Sequence, residues 1–273
     1  MEKGDYCLVK SSVANLYKEP SFKSELVSQG LIWEKLIICD KKDNWFQVKQ
    51  RDGYIAWLHS FYVIDSSTYD NNKLLHKEEN WFFVKDSLLE IKKINCNEKY
   101  FLPFGALIPC IPYNNGHIDN NNLVLILPDG EKVDISKQKL LKSSESITFD
   151  RVLELSKHLL GIPYLWGGKS SFGYDCSGFV QTLFNIFGIN FPRDSYQQLD
   201  YEGLFEIDYS EAKVGDLLFF TDNKIVNHVA ICIGNGEIIH SSGNVKIEKL
   251  KNNIELYQKL YKVISIKNII NER

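Results

Sequence analysis

Long apolar segments are missing from this sequence. The longest apolar runs, such as LVLIL at residues 123–127, have the length of a strand and fall far below the ~18 residues that a bilayer-spanning helix needs. The opening MEKGDYCLVK contains charges but no apolar stretch followed by a small-residue cleavage site, so it does not indicate a secretion signal. We therefore expect a cytoplasmic protein with no membrane partner, unless a leader was removed.

Runs of basic residues are also absent, and the formal net charge is −3. Such a chain has no general attraction to phosphate backbones, so nucleic acid is not an expected partner. The cysteines show no CxxC spacing, which argues against a zinc site and a dense disulfide framework. We expect no metal and no cofactor, and mostly buried thiols. The cysteines are Cys7, Cys39, Cys96, Cys110, Cys176 and Cys232.

The composition is that of an ordinary globular protein. Hydrophobic residues make up 44% of the chain, charged residues 25% and aromatic residues 13%, which excludes a disordered chain. A length of 273 residues favours two or three domains. We expect the protein to act as a monomer.

The first half of the chain contains short strands separated by turn signals. Alternating residues at 45–49 are followed by Asp52-Gly53 and the apolar segment YIAWL, the signature of a hairpin. Asp129-Gly130 lies between two further alternating segments, at 123–135. The pattern therefore occurs twice.

Two glycines support the same repeat. Gly30 and Gly105 each precede an apolar strand, at nearly the same offset as the two Asp-Gly turns. We predict two divergent small all-β barrels. A rival match, NWFQVK at 44–49 against NWFFVK at 80–85, gives a shorter repeat that is too short for a barrel.

The pattern changes after about residue 144. Apolar residues at helical spacing predict one helix that begins near Ser146 or Thr148, and a second that covers 177–187 and ends at Gly188. The strand-like segments DLLFF, HVAICIG and EIIHSS follow, an order typical of an α+β domain. The predicted domains are thus residues 1–65, 66–143 and 144–273.

Cys176 lies at the start of the second predicted helix. Asp175 can cap this helix, which places Cys176 at its first position, where free backbone N–H groups and the helix dipole favour an anion. A thiolate is the nucleophilic form of cysteine, and a helix N-terminus is one of the environments that stabilise it. The alternative is a buried structural cysteine.

Two histidines are candidates for the base. His228 begins a strand, and His240 ends the next strand beyond the turn Gly234-Asn235-Gly236. Both imidazoles reach the same face of the sheet only if even-numbered residues of one strand pair with even-numbered residues of the other. This pairing requires a three-residue loop or a bulge. We predict this arrangement, with His228 as base and His240 orienting it. The alternative is that two strand-end histidines are incidental.

Four segments together carry a family resemblance: GIPYLWGGKSSFGYDCSGFV, FPRDSYQQ, KVGDLLFF and NHVAICIGNGEIIHSSG. They resemble the NlpC-type cell-wall cysteine peptidases across the last 130 residues. The resemblance implies a papain-like α+β fold in which Cys176 attacks a peptide carbonyl, His228 is the base and His240 completes the triad. It also implies that Tyr164 lies beside the nucleophile and helps to hold the oxyanion.

With two bacterial SH3-like barrels in front, the chain resembles the subgroup that trims free murein peptides. Those enzymes cut the γ-D-glutamyl bond to a diamino acid and prefer an unblocked N-terminal L-Ala, so a murein-derived peptide is the expected partner. A free ammonium selects for a carboxylate, and Asp175 is the first candidate, with a helix cap alone as the alternative role. The remaining implied substrate contacts are Ser177, Ser195, Trp166, Glu34 and Tyr54.

Two of these contacts are open to other interpretations. Trp166 is expected to form a wall of the pocket, with a core aromatic as the alternative. Tyr54 follows the segment DG with a shorter insertion than is usual in the subgroup, so the sequence departs from the subgroup's pattern at this contact.

Two other functions remain open. A papain-like amidase or acyltransferase would use the same cysteine and histidines on another amide substrate. A non-catalytic wall-peptide-binding protein would keep the barrels as binding modules.

Overall fold

The structure is a computed structural model that describes residues 1–92, 99–112, 121–144 and 147–271. The chain divides into two compact units, Met1–Ser146 and Ile147–Arg273. Both predicted barrels fall in the first unit, and the bounds of the three predicted domains stay predictions.

The first barrel is an antiparallel sheet. Its strands are β1 (Tyr6–Val9), β2 (Val13–Tyr17), β3 (Leu26–Leu31), β4 (Lys35–Lys42), β5 (Trp45–Lys49), β6 (Ile55–His59) and β7 (Val63–Asp65). They are ordered β3-β2-β6-β5-β4-β1-β7. The predicted hairpin joins β5 to β6, and Gly53 takes the left-handed conformation that its turn requires, with φ of 89°.

The second barrel repeats this order. A short helix α1 (Ser67–Asp70) precedes β8 (Trp81–Val84), β9 (Leu88–Lys92), β10 (Lys99–Pro103), β11 (Leu107–Pro112), β12 (Asn122–Ile126), β13 (Lys132–Ser136) and β14 (Leu140–Lys142). Five strands pair in the order β13-β12-β11-β8-β14, which matches β6-β5-β4-β1-β7, while β9 and β10 form a separate pair. The Asp129-Gly130 turn joins β12 to β13, as predicted.

The repeat aligns differently from the sequence prediction at the glycines. The N–H of Gly105 donates to the carbonyl of Val84, and the N–H of Trp33 donates in the same way to Val9, both at 2.9 Å. Both residues have positive φ, 78° and 69°. Trp33, and not Gly30, is therefore the counterpart of Gly105.

The rival repeat is not a structural one. The strand β8 lies between β11 and β14, as β1 lies between β4 and β7, whereas β5 lies between β4 and β6. The similar segments NWFQVK and NWFFVK therefore occupy different places in the two sheets.

The first unit has two apolar clusters. One lies within the first barrel, and the other packs Leu8, Ile32 and Trp33 of that barrel with core residues of the second. The indole N–H of Trp33 donates to the carbonyl of Ile126 at 2.8 Å. The Trp33 side chain enters the shared core, and this buried hydrogen bond satisfies its only polar atom, the indole nitrogen.

The second unit is an α+β domain, so the predicted order of all-β modules followed by an α+β module is confirmed. Its helices are α2 (Phe149–Ser156), α3 (Cys176–Phe187), α4 (Ser195–Leu199), α5 (Ile254–Gln258) and α6 (Lys267–Asn271). Its strands are β15 (Lys169–Ser170), β16 (Gly173–Tyr174), β17 (Phe205–Ile207), β18 (Leu217–Asp222), β19 (Ile225–Gly234), β20 (Glu237–Ser242), β21 (Asn244–Lys249) and β22 (Leu260–Ser265). The six-stranded antiparallel sheet runs β17-β22-β18-β19-β20-β21.

Helix ends follow the local sequence. The Thr148 hydroxyl accepts from the N–H of Arg151 and caps α2, while the other predicted cap, Ser146, lies outside the described residues. Helix α3 begins at Cys176, with Asp175 as cap, and ends at Gly188, whose φ of 94° makes it a left-handed C-cap. Both ends of α3 agree with the prediction within one residue.

A close backbone contact holds the start of α3. A Cβ on Gly178 would overlap the carbonyl oxygen of Gly168, so the first turn of the helix packs directly on the Gly167-Gly168 loop. Within the described ranges, no helix is both long and apolar enough to cross a bilayer.

Candidate active site

The Cys176 side chain lies against β19. It is 6% exposed, and its Sγ atom is 3.9 Å from the carbonyl oxygen of Asn227. The N–H groups of Val229 and Ser177 also face the sulfur. Asn227 and Val229 flank His228, so the helix start brings the thiol to the strand at the predicted base.

Burial decides the charge of this thiol. It raises the pKa of Cys176 to about 12, and the adjacent Asp175 carboxylate raises it further, against the smaller opposing effect of the two N–H groups. The expectation that the helix start holds a thiolate is therefore wrong for the free protein. Desolvation outweighs the backbone dipoles, and the resting form is the neutral thiol.

The two histidines hydrogen-bond to each other. Nε2 of His228 lies 2.8 Å from Nδ1 of His240. In the β19–β20 pair, Ile231 faces Ile239 and Cys232 faces Ile238, with a bulge between Cys232 and Gly234. Residues of like parity are thus opposite one another, which confirms the predicted bulge and the shared face.

Both imidazoles are neutral near pH 7. Burial lowers the pKa of His228 to about 3 and that of His240 to about 4. Lys246 lowers both pKa values further, and Glu248 acts in the opposite direction on His228. The site therefore combines a neutral thiol with neutral bases.

Tyr164 lies within electrostatic reach of Cys176 and is tied to the sheet by its backbone. Its N–H donates to the carbonyl of Gly243 at 2.8 Å, which ties the segment to the β20–β21 turn. Burial raises the pKa of Tyr164, and a negative charge on Cys176 or Asp175 raises it further, because the phenol lies within electrostatic reach of both groups. Its hydroxyl stays protonated and can donate a hydrogen bond.

Both carboxylate oxygens of Asp175 accept hydrogen bonds. Its Oδ1 accepts from the N–H of Gly178 at 2.7 Å and from the Ser177 hydroxyl at 3.3 Å, and its Oδ2 accepts from the N–H of Gly167 at 2.9 Å. Arg193 forms a bidentate ion pair with both oxygens. The carboxylate therefore caps the helix and has its charge compensated by Arg193.

The predicted serines lie near this ion pair in different ways. The Ser177 hydroxyl accepts from Nη1 of Arg193 at 3.0 Å. Ser195 is buried at the first position of α4, and Gln198 of that helix donates to the carbonyl of Ser177 at 3.0 Å. Helix α4 is thereby tied to the start of α3.

Trp166 is 61% exposed, so the core-aromatic alternative is wrong. Glu34 and Tyr54 belong to the first unit and are half-buried there. Glu34 accepts from Nε2 of Gln50 at 2.7 Å and from the N–H of Leu31 at 3.0 Å. The substrate roles of these three residues stay predictions.

Sequence reasoning missed two charged residues at the site. Arg193 lies within the quoted segment FPRDSYQQ, but its pairing with Asp175 depends on the tertiary fold. Glu248 lies 3.1 Å from Nε2 of His240. The alternation of Val245 and Ile247 after Gly243 is the signal that could have placed it on a further strand.

The described cysteines other than Cys176 form no disulfide bonds. They are free thiols, of which Cys7, Cys110 and Cys232 are buried, and Cys96 lies outside the described residues. In the part of the chain that the structure describes, no three His, Cys, Asp or Glu side chains converge in a way that could hold a metal ion.

The sequence matches two family models and several characterised proteins. The family model described as "NlpC/P60 family" matches residues 161–264, and the model described as "Bacterial dipeptidyl-peptidase Sh3 domain" matches residues 16–60. A gamma-D-glutamyl-L-lysine dipeptidyl-peptidase of Bacillus cereus is 30% identical over 80% of this chain and 68% of its own length. The enzyme of the same name from Bacillus subtilis is 27% identical over 85% of this chain and 78% of its own length.

The fold has a counterpart among solved structures. The crystal structure of an NlpC/P60 family protein from Bacillus cereus superposes with a TM-score of 0.81 at 22% identity, and covers 94% of this chain and 98% of that one.

Proposed function

Because the chain belongs to the NlpC/P60 family and is a cysteine peptidase, we propose that it hydrolyses the γ-D-glutamyl bond to a diamino acid in free murein peptides. The preferred substrate has an unblocked N-terminal L-Ala. The role is recycling of cell-wall peptides in the cytoplasm, by a monomer.

One observation carries the catalytic part of the proposal. The Cys176 thiol lies against the backbone on either side of His228, and His228 is hydrogen-bonded to His240. A nucleophile, a base and a group that orients the base are the parts that acyl transfer requires.

The reaction follows from these roles. His228 takes the thiol proton as Sγ bonds to the scissile carbonyl carbon, because neither group is charged in the free protein. The Tyr164 hydroxyl donates to the developing oxyanion. The C–N bond then breaks, the leaving amine takes the proton from His228, and a thioester remains. Water, deprotonated by His228, hydrolyses the thioester and releases the thiol.

The proposed scissile bond and the preference for a free N-terminal amine are inferred from the names of the related enzymes. Both matched Bacillus enzymes are named for the γ-D-glutamyl-L-lysine bond and for dipeptide release. Release of a dipeptide requires recognition of a free N-terminus. Asp175 is committed to Arg193 and to the helix cap, so Glu34 and Tyr54 are the other candidates for the amine end.

Mass spectrometry of murein peptides tests the proposal. L-Ala-γ-D-Glu-L-Lys and its diaminopimelate counterpart are incubated with the wild type and with Cys176→Ala, alongside N-acetylated peptides and peptides without the alanine. We expect cleavage of the unblocked peptides by the wild type alone, and little digestion of intact sacculi. Cleavage by Cys176→Ala, or failure of the wild type on every peptide, overturns the proposal.

A further inference from the structure

Glu248 lies on β21, next to the strand that carries His240. In the β20–β21 register His240 faces Lys246 directly and Glu248 is two residues further along, so all three side chains share one face of the sheet. The Glu248 carboxylate reaches Nε2 of His240 at 3.1 Å. This ring nitrogen points away from His228, whose contact is with Nδ1.

The environment of His240 requires a polar partner at this nitrogen. The residue is 1% exposed, and among the described residues no acceptor or donor meets Nε2 with hydrogen-bond geometry. The Glu248 oxygen lies at ion-pair distance from Nε2 without meeting the geometry of a hydrogen bond. Contacts in free enzymes are often poorly aligned and tighten when the reaction begins.

Two other side chains fix the carboxylate. Nδ2 of Asn253 donates to Oε1 of Glu248 at 3.0 Å, and Nζ of Lys246 lies 3.5 Å from Oε2. Asn253 is itself held, because its Oδ1 caps α5 by accepting from the N–H of Leu256. The side chain of Glu248 is only 23% exposed, so it has little freedom to leave His240.

The carboxylate determines which ring nitrogens carry protons. An ionised carboxylate only accepts hydrogen bonds, so Nε2 of the neutral His240 must bear the proton and its Nδ1 must accept. The 2.8 Å bond between the rings is then donated by Nε2 of His228. Nδ1 of His228 then carries no proton, and its lone pair can accept the proton of the thiol.

The opposite arrangement disables the base. If His240 carried its proton on Nδ1, a lone pair on Nε2 would face the carboxylate. His228 would then accept at Nε2 and carry its own proton on Nδ1, where it could not receive one from the thiol. One carboxylate thus separates two tautomers of the histidine pair, of which a single one can act as base.

We propose that Glu248 is a positioning residue that holds the His240–His228 pair in the tautomer that can deprotonate Cys176. The inference rests on the proposed function only for the identity of the base and the substrate. When the substrate binds and the imidazolium forms, the carboxylate also faces the new positive charge through His240.

Histidine nitrogen NMR tests the tautomer without any substrate. In ¹⁵N-histidine-labelled Cys176→Ala protein at pH 7, we expect both rings to be protonated on Nε2. Glu248→Gln keeps an acceptor oxygen and should largely retain this pattern, whereas Glu248→Met should give a mixture. A His228 ring protonated on Nδ1 in the Cys176→Ala protein overturns the proposal, whether or not the Glu248 variants fold.

Kinetics on the wild-type background gives the second readout. We expect Glu248→Met to lower kcat by about 10- to 100-fold with little change in KM, and Glu248→Gln to fall between it and the wild type. Glu206→Met removes a glutamate that pairs with Lys262 on the far edge of the same sheet, and should leave kcat unchanged. A folded Glu248→Met enzyme with wild-type kcat, or with a loss confined to KM, contradicts the proposal. If the wild type cuts no murein peptide, the proposed function fails, while the NMR result still decides the tautomer.

Discussion

Arg193 forms a buried bidentate ion pair with Asp175, the residue directly before the candidate nucleophile. The same guanidinium donates to the Ser177 hydroxyl on the other side of Cys176. The first turn of α3 is therefore held from both sides by one charged side chain that comes from the segment before α4.

Replacement of Arg193 should destabilise the protein strongly. Arg193→Met leaves the Asp175 carboxylate buried without its counter-ion, and breaking such a pair costs about 3–5 kcal/mol. Urea unfolding at pH 7 measures the loss. Arg151→Met removes an exposed arginine on α2 and should change the free energy of unfolding by less than about 0.5 kcal/mol. Equal stability of the two variants would refute the role given to Arg193.

Alkylation of Cys176 should accelerate with pH well beyond neutrality. Because burial raises the pKa of this thiol to about 12, the thiolate fraction should still be rising about tenfold per pH unit between pH 7 and 9. Iodoacetamide labelling of the intact protein, followed by peptide mass spectrometry, gives the rate at each pH. A rate that levels off below pH 8 would show a stabilised thiolate and reverse this assignment.

The two histidines should differ in their effect on catalysis. His228→Ala removes the base and should lower kcat/KM by about 10²- to 10⁴-fold. His240→Asn keeps a polar group beside His228 and should cost about 10- to 100-fold. His158→Asn, at an exposed histidine, is the control and should be neutral. The assay is cleavage of L-Ala-γ-D-Glu-L-Lys, and a His228→Ala enzyme as active as His158→Asn would exclude His228 as base.

Stability should fall as the solution becomes acidic, because His240 is buried in its neutral form. Its folded pKa of about 4 lies below the usual 6.5, so the unfolded chain binds the proton more readily. The stability that the neutral His240 contributes to the folded state is fully present above pH 6.5 and is lost as pH falls towards 4. The expected contribution of His240 to the slope is about 1.4 kcal/mol per pH unit, and His228, whose pKa burial lowers to about 3, adds a contribution of similar size.

Urea unfolding at pH 7, 6 and 5 measures this slope. His240→Asn should reduce the slope, leaving the share that His228 contributes, and His158→Asn should not change it. A slope that is the same in wild type and His240→Asn would contradict the assignment.

Local features of the site were predictable from the sequence. Neighbouring residues determine Asp175 as cap, Cys176 at the helix start and Gly188 at its end, so all three were predicted correctly. The parity of His228 and His240 was also accessible, because the number of residues between two paired strands limits their register.

Features that depend on burial or distant contacts were not predictable. A helix start favours a thiolate, but the depth of Cys176 in the fold reverses the balance. Arg193 lies 18 residues from Asp175, and Glu248 reaches His240 only through the β20–β21 register. Likewise, nothing in the local sequence around Trp33 indicates a left-handed backbone, since this conformation usually belongs to glycine.

Because of the bulge between Cys232 and Gly234, the alignment of the two catalytic histidines depends on the number of residues in this hairpin. Deletion of one residue there would preserve the hairpin, its charge and its apolar content, yet turn the two imidazoles to opposite surfaces. A homologue shortened at this point would thus be an inactive enzyme that retains every catalytic side chain, recognisable only by counting residues between its histidines.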